Sequence, residues 1–176
     1  TLLIVYVLWL QPGEDLSRFG FRAVDIPDFL AALAATVGMF VVLAAAAGIL
    51  LLFPEVTQET MRSGFRFRFS NVSLLPLALL SSFAIAYREE AFFRAYLLTR
   101  FEQLSVNPVL GVVLAAAAFS LGHFYQGLGG AAVAFLLGLY LGWIYIRRRS
   151  IHIVAVAHGL YNFAALALSA AGVELS

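Results

Sequence analysis

Residues 72–98 read VSLLPLALLSSFAIAYREEAFFRAYLL, an apolar run that is interrupted by two acids between two arginines. Adjacent carboxylates are costly in so apolar a setting, and ionisable groups there usually serve a function. On a helix, Glu90 and Arg94 lie four residues apart on one face, so their side chains can form an ion pair. Glu89 lies about 100° around the helix from Glu90, which leaves its carboxylate free to face a different neighbour.

Two interpretations of this cluster remain open at this point. An unpaired Glu89 carboxylate in a low-dielectric site would bind a proton more readily than in water, which suits a general base. In the alternative interpretation, Arg88 and Arg94 neutralise both acids at a contact between helices, and the cluster is structural.

The composition of the chain is that of a membrane protein rather than a soluble domain. Of its 176 residues, 62% are hydrophobic and only 12% are charged, so we predict an all-α, polytopic bundle of transmembrane helices. The formal net charge of +1 gives no reason to expect a nucleic-acid partner. Because the chain has no cysteine, it contains no disulfide, thiolate metal site or cysteine nucleophile.

We predict a single domain over residues 1–176, with five full membrane spans. The spans are predicted at 29–53, from near Pro76 to about Glu102, at 108–123, at 128–146 and at 151–171. Asn107 and Pro108 form a helix-start signal, with asparagine as the N-cap and proline at the first helical position. Residues 2–10 are too short an apolar stretch to span a bilayer and are interpreted as the end of a truncated first helix.

The connections between the spans differ in charge. Residues 54–71 are predicted to be a polar connection, in which Arg62, Arg66 and Arg68 alternate with phenylalanines in a pattern typical of a membrane interface. The connections at 11–28, 99–107 and 147–150 fall on the opposite side and carry Arg18, Arg22, Arg100, Arg147, Arg148 and Arg149. The positive-inside rule therefore places this second group in the cytoplasm.

Small residues recur at every fourth position of the span 128–146. Gly130, Ala134, Gly138 and Gly142 lie on one helix face, and such faces allow helices to approach closely in lipid. We expect these residues to build the bundle and to take no part in chemistry.

Further polar groups lie inside the apolar spans. His123 shares a predicted helix face with Phe119, and His158 shares one with Asn162. One buried histidine is more often a packing residue than a catalyst. Two histidines on different spans, together with the Glu89 carboxylate on a third, predict a common site, because polar side chains in membrane bundles face inward and meet. His152, beside the arginines at 147–149, is not expected to function.

These groups suit hydrolysis by either of two routes. Glu89 and one imidazole could hold and deprotonate a water, while the second imidazole and the Asn162 amide stabilise the oxyanion. Alternatively, Glu89, His123 and His158 could bind one Zn²⁺ with an open position for water. The cofactor is therefore either none or one divalent metal such as zinc.

Other functions have less support in the sequence. No aspartate follows Asp28, and there is neither a His-Glu-x-x-His nor a Gly-x-Ser-Gly motif, which argues against other intramembrane protease chemistries. The rival hypothesis is a non-enzymatic membrane carrier or scaffold, whose Glu and His side chains relay protons or brace helices. A protease needs these side chains around one cavity, whereas a proton relay places them one after another along a path.

Three motifs occur in order on successive apolar segments: Glu89-Glu90-x-x-x-Arg94, Phe119-x-x-x-His123 and His158-x-x-x-Asn162. Over residues 76–165, which by this resemblance would form the catalytic core, they resemble the CPBP family of intramembrane proteases, which comprises the CAAX prenyl endopeptidases and their Abi-like bacterial relatives. The resemblance implies that Glu89 is the general base and that His123 holds the attacking water. It also implies that His158 and Asn162 stabilise the oxyanion, and that Glu90 and Arg94 support the site beside Phe119.

The resemblance further implies an integral, multi-pass protein of a bacterial or archaeal cell membrane. Its partners would be membrane lipid and a peptide or protein substrate. In some members of the family the substrate is cleaved at its C-terminus or carries a lipid. Both a metal-dependent mechanism and a metal-free glutamate mechanism have been proposed for the family, so the resemblance does not decide whether a metal takes part.

The depths of the site residues constrain the start of the Glu89 helix. At about 1.5 Å per residue, Glu89 lies roughly 25 Å beyond Val72, whereas His158 lies only about 10 Å from the arginine cluster. We therefore predict that the membrane-crossing part of this helix starts nearer Ser81.

Overall fold

The computed structural model describes residues 15–64 and 72–170, and all regular secondary structure in these residues is helical. This confirms the predicted all-α fold class. In this described part of the chain, six helices follow one another: α1 (Ile26–Leu50), α2 (Pro54–Gly64), α3 (Leu75–Glu90, Ala91–Leu98 and Thr99–Gln103, which are continuous), α4 (Pro108–Leu121), α5 (Gly127–Arg148) and α6 (Ile151–Ala170). Short 3₁₀ turns occupy Leu16–Phe19, Val72–Leu74 and Phe124–Gln126.

The sequence signals for helix ends are confirmed at α4. The Asn107 side-chain oxygen accepts hydrogen bonds from the backbone N–H groups of Val109 and Leu110, at 2.9 and 3.3 Å. Pro108 follows at the first helical position, where its missing N–H has no intrahelical partner to lose. The prediction that α4 extends to His123 is wrong, because the helix ends at Leu121 and His123 lies beyond the Gly122 C-cap.

The prediction that residues 54–71 form a polar connection is also wrong in part, because residues 54–64 form the helix α2. Glu55 lies in its first turn and Arg62 in its last, and both charges are favourable for the helix dipole. The helix packs on the start of α5, where Gly129 lies against Thr60 and Val56. The remaining predictions for Arg66 and Arg68, and for the truncated helix 1–10, lie outside the described residues.

Within residues 15–64 and 72–170, three helical segments are long and apolar enough to cross a membrane: Ile26–Leu50, Phe124–Arg148 and Ile151–Leu168. α4 is apolar but shorter, and α3 carries the charged cluster. The five predicted spans are thus supported by length and composition in three cases, and the other two stay predictions, as does the start of the membrane-crossing part of α3 near Ser81. Val37 and Val41 of α1 are 65% and 63% exposed, as expected for side chains that face lipid.

The small-residue face of α5 packs against α4. Gly130, Ala134, Gly138 and Gly142 are all buried. A Cβ atom at Gly138 would lie 3.1 Å from Cβ and 3.2 Å from Cα of Ala116. The close approach of the two helices is therefore confirmed. At Gly138 there is too little room for a methyl group beside the α4 backbone.

Replacing Gly138 with alanine should destabilise the bundle by about 1–3 kcal/mol, because the added methyl group requires the α4 backbone to shift. Gly48→Ala in α1 is the matched control, since a Cβ there would meet nothing within 4 Å. That change should be neutral or stabilising by up to about 1 kcal/mol, as expected for alanine in a helix. Thermal unfolding of both variants in detergent micelles measures the difference, and equal melting temperatures would contradict this description of the α4–α5 contact.

The three connections predicted to share one side do meet at one end of the bundle. The Ile151 N–H donates to the Gly20 carbonyl at 3.0 Å, and Arg149 forms a salt bridge with Glu102 at 2.7 Å. Residues 15–20, the end of α3 and the α5–α6 junction are thereby joined. That this end faces the cytoplasm stays a prediction.

Candidate active site

The helix that carries the charged cluster changes its winding directly after Glu90. Residues Ala91–Leu98 of α3 form a π-helix, in which Arg94 and Leu98 point into the bundle. Sequence periodicity did not predict this segment. π-helical turns are rare and occur frequently at functional sites, so the winding itself marks this part of α3.

Glu90 and Arg94 form the predicted ion pair, and both are buried. Arg94 Nη1 donates to Glu90 Oε1 at 2.8 Å, and their side chains are 0% and 1% exposed. The same carboxylate oxygen lies 2.8 Å from Nδ1 of His158. Because a carboxylate only accepts hydrogen bonds, Nδ1 of His158 carries the proton and its Nε2 faces away from Glu90. Glu90 thus joins α3 to α6 and fixes the tautomer of a buried histidine.

The second contact of Arg94 is with α4 and α5. Its guanidinium carbon lies 4.6 Å from the centre of the Phe119 ring, within the range of a cation–π interaction. Its Nη2 lies 3.5 Å from the carbonyl oxygen of Gly138. Phe119 also packs edge-on against Phe93, with ring centres 5.2 Å apart. Arg94 is therefore held from three helices.

Glu89 faces away from this buried pair, as the 100° offset predicted. Its side chain is 16% exposed, and its Oε2 lies 3.8 Å from Nε2 of His158. Its Oε1 accepts a hydrogen bond of 3.2 Å from Arg88, whose side chain is 64% exposed. The expectation that Glu89 is unpaired is therefore wrong, since it is paired with Arg88, and its role as a general base stays a prediction. The structural interpretation holds in part: each acid is paired with an arginine, but only Glu90 is fully buried.

A cavity of about 400 Å³ lies against Glu89. Its lining residues are Arg88, Glu89, Phe92, Phe93, Phe119, Gly122 and His123. A carboxylate, an imidazole and a guanidinium therefore face the same space, whose other lining residues are Gly122 and three phenylalanines. This volume suits a small ligand or a few residues of a peptide.

His123 reaches this cavity from just beyond the end of α4. Its Nδ1 lies 2.8 Å from the carbonyl oxygen of Phe119. A carbonyl oxygen only accepts, so Nδ1 is the protonated nitrogen, and Nε2 of the neutral ring is left as an acceptor. The imidazole is also packed against Phe119, with ring centres 4.3 Å apart.

Two other predicted positions have less defined surroundings. Asn162 lies one turn after His158 on α6 and is half-buried, and among the described residues its side chain makes no hydrogen bond. Its proposed contact with an oxyanion therefore stays a prediction. His152, for which no function was expected, has its Nδ1 3.0 Å from the hydroxyl of Tyr87, a link between α6 and α3.

The predicted metal ligands do not come together as a set. Within residues 15–64 and 72–170, no group of three or more His, Cys, Asp or Glu side chains is arranged so that it could hold a metal ion. Nδ1 of His158 is engaged by Glu90 and Nδ1 of His123 by a carbonyl oxygen, which leaves Nε2 of each ring as the nitrogen that a metal would take. A zinc site formed by Glu89, His123 and His158 stays a prediction.

Sequence reasoning missed the role of Arg88 in the cavity wall and the roles of Phe92 and Phe93. Their adjacency to Glu89 is visible in the sequence, but the sequence does not show that all three line one cavity. It also missed that Gly138 offers its carbonyl to Arg94, since glycine was assigned to packing alone.

Comparison with known proteins gives a family match. The model of the family described as "Rce1-like: Type II CAAX prenyl endopeptidase Rce1-like" matches residues 71–164. The matched region covers more than half of the chain and includes all three motifs. The comparison with curated proteins gives no match, and the comparison with solved structures gives none either.

Proposed function

This chain belongs to the Rce1-like family of type II CAAX prenyl endopeptidases, and we propose that it is an intramembrane endopeptidase in which Glu89 activates the attacking water. The membership confirms the resemblance that the three sequence motifs indicated. It identifies an integral membrane protease that acts on a peptide or protein, in keeping with three segments that are long and apolar enough to cross a membrane.

The observation that carries the proposed mechanism is the convergence of groups from three helical segments. Glu89 of α3 and His123, just after α4, line one cavity, and Nε2 of His158 on α6 lies 3.8 Å from the Glu89 carboxylate. A carrier or scaffold would distribute these groups along a path or use them singly as braces. His158 and Asn162 are not among the residues that line the cavity, but the meeting of Glu89 with His123 and with His158 favours hydrolysis over the rival function.

The first step is activation of the water. The Glu89 carboxylate and Nε2 of His123 are both acceptors, so one water can donate a hydrogen to each of them. Its oxygen lone pair is then directed at the carbonyl carbon of the scissile bond. Glu89 takes the proton as the new C–O bond forms, which is the role of a general base.

The second step is stabilisation of the oxyanion. Since Nδ1 of His158 donates to Glu90, a hydrogen bond from Nε2 to the oxyanion requires the doubly protonated imidazolium. Glu90 at 2.8 Å and Glu89 at 3.8 Å offset its positive charge. The Asn162 amide is proposed as a second donor. When the C–N bond breaks, the protonated Glu89 returns its proton to the leaving amine.

We also propose that the substrate is cleaved near its C-terminus. Arg88 is largely exposed and lines the same cavity as Glu89, so its guanidinium can pair with the terminal carboxylate of a bound peptide. The neighbouring Phe92 and Phe93 form an apolar wall that suits a hydrophobic side chain or an attached lipid.

Replacing Arg88 with glutamine should raise KM for a peptide with a free C-terminal carboxylate by about tenfold, the effect of losing one charge-assisted hydrogen bond. KM for the same peptide with a C-terminal amide should not change, because the amide carries no charge. Arg62→Gln, at an exposed arginine of α2, is the matched control. An equal change in KM for acid and amide peptides would contradict the role of Arg88 as a carboxylate ligand.

The proposed function is tested with the purified protein in detergent micelles, in a buffer prepared with H₂¹⁸O. Peptides with a free C-terminus are supplied in lipidated and unlipidated forms, and the products are analysed by mass spectrometry. We expect a single cleavage near the C-terminus with one ¹⁸O atom in the new carboxylate. A folded protein that cleaves none of these peptides, but moves protons across proteoliposomes, would instead establish the carrier function.

A further inference from the structure

A second cavity, of about 430 Å³, lies where residues 15–20, the end of α3 and the α5–α6 junction meet. It is lined by Ser17, Arg18, Thr99, Glu102, Gln103 and Arg149. These residues come from the first 3₁₀ turn, the end of α3 and the end of α5, and none of them lines the cavity beside Glu89. The space is therefore a separate site, and a ligand in it would contact three segments at once.

The walls of this cavity offer cations and hydroxyl groups. Arg149 adopts a left-handed backbone conformation at φ 50°, and its guanidinium is held by Glu102 at 2.7 Å while 41% of the side chain stays exposed. Arg18 is exposed and forms no salt bridge with any described residue. Asp15 lies beside it but hydrogen-bonds with Ser17. The hydroxyl of Thr99 is buried in the wall and lies beside the hydroxyl of Tyr145.

The charge distribution of the bundle points to an anionic ligand. Within the described residues, this end carries Arg18, Arg22, Arg100, Arg147, Arg148 and Arg149 against Asp15, Asp25, Asp28 and Glu102. The opposite end carries Arg62 against Glu55 and Glu59. Arginines next to membrane spans attract anionic lipid headgroups, and the planar guanidinium pairs well with phosphate.

We propose that this cavity binds the phosphate of an anionic phospholipid headgroup, with Arg18 and Arg149 as its ligands. The cavity is large enough for a headgroup, and it lies at the end of α5, a helix that is long and apolar enough to span a membrane. Leu104, which directly follows the lining residue Gln103, is 74% exposed and provides an apolar contact for the acyl chains. A bound lipid would join the three segments and stabilise the bundle.

The test is thermal unfolding of the purified chain in micelles of a neutral detergent. Phosphatidylglycerol should raise the melting temperature by about 5 °C at saturation, whereas phosphatidylcholine at the same concentration should have little effect. Inorganic phosphate is the third arm, because it carries the same anionic group without acyl chains. An equal shift with inorganic phosphate would overturn the assignment to a lipid.

Two variants distinguish this cavity from general attraction to a basic surface. Arg18→Gln and Arg149→Gln should each remove most of the shift caused by phosphatidylglycerol. The Arg18→Gln substitution breaks no salt bridge in the described part of the chain, so this variant stays informative if Arg149→Gln folds poorly. Arg147→Gln is the control, since Arg147 stacks on Trp143 at 4.4 Å and does not line the cavity. A loss of the shift in all three variants, or in none of them, would contradict the site, whatever the peptidase assay shows.

Discussion

The Glu89→Gln variant is expected to lose peptide hydrolysis almost completely, with kcat lowered by about 10²–10⁴-fold, the range for removal of a general base. Glutamine has nearly the same shape and still accepts a hydrogen bond, so water binding is largely kept. It does not take up a proton at neutral pH, and the attack on the carbonyl is therefore slowed. The measurement is the initial rate of cleavage with saturating peptide.

The same variant should remain folded, because the strongest contact of Glu89 is the pair with the largely exposed Arg88 and exposed pairs contribute little to stability. Glu55→Gln on α2 is the matched control, since it removes one exposed acid far along the chain and should leave kcat unchanged. Unaltered cleavage by a folded Glu89→Gln protein would mean that another group activates the water.

Several features of the fold were predictable because they depend on local chemistry. The N-cap at Asn107, the start of α3 near Pro76 and the small-residue face at Gly138 are each decided by a few neighbouring residues. The Glu90–Arg94 pair was predictable for the same reason, since i,i+4 neighbours meet on any helix. The π-helical segment keeps this pair intact, with 2.8 Å between its atoms.

Other features depend on contacts between segments that are distant in the chain. The π-helical winding of Ala91–Leu98 accompanies the burial of Arg94 between Phe119 and Gly138, which no local pattern reveals. The hydrogen bond between Glu90 and His158 joins positions that are 68 residues apart. For the same reason, the sequence assigned Glu90 a pairing with Arg94 but gave no sign that it also orients the histidine.

This arrangement makes Glu90→Gln the substitution with the largest expected effect on stability. The change leaves the Arg94 guanidinium buried at 1% exposure without its counter-charge. Breaking a buried pair in this way destabilises a protein by about 3–5 kcal/mol, which corresponds to a fall in melting temperature of roughly 10 °C for a chain of this length. Glu102→Gln, which breaks an exposed pair, is the control and should change stability by less than about 1 kcal/mol.

The double variant Glu90→Gln/Arg94→Met separates the structural role of the pair from its effect on His158. With both charges removed and the volume largely kept, most of the lost stability should return. The glutamine oxygen still accepts from Nδ1 of His158, so the ring keeps its orientation, but the imidazolium loses the Glu90 charge that offsets its own. Hydrolysis should therefore stay well below the wild-type rate in a stably folded double variant. If activity recovers together with the melting temperature, Glu90 acts on the fold alone, and the proposed stabilisation of the His158 imidazolium is wrong.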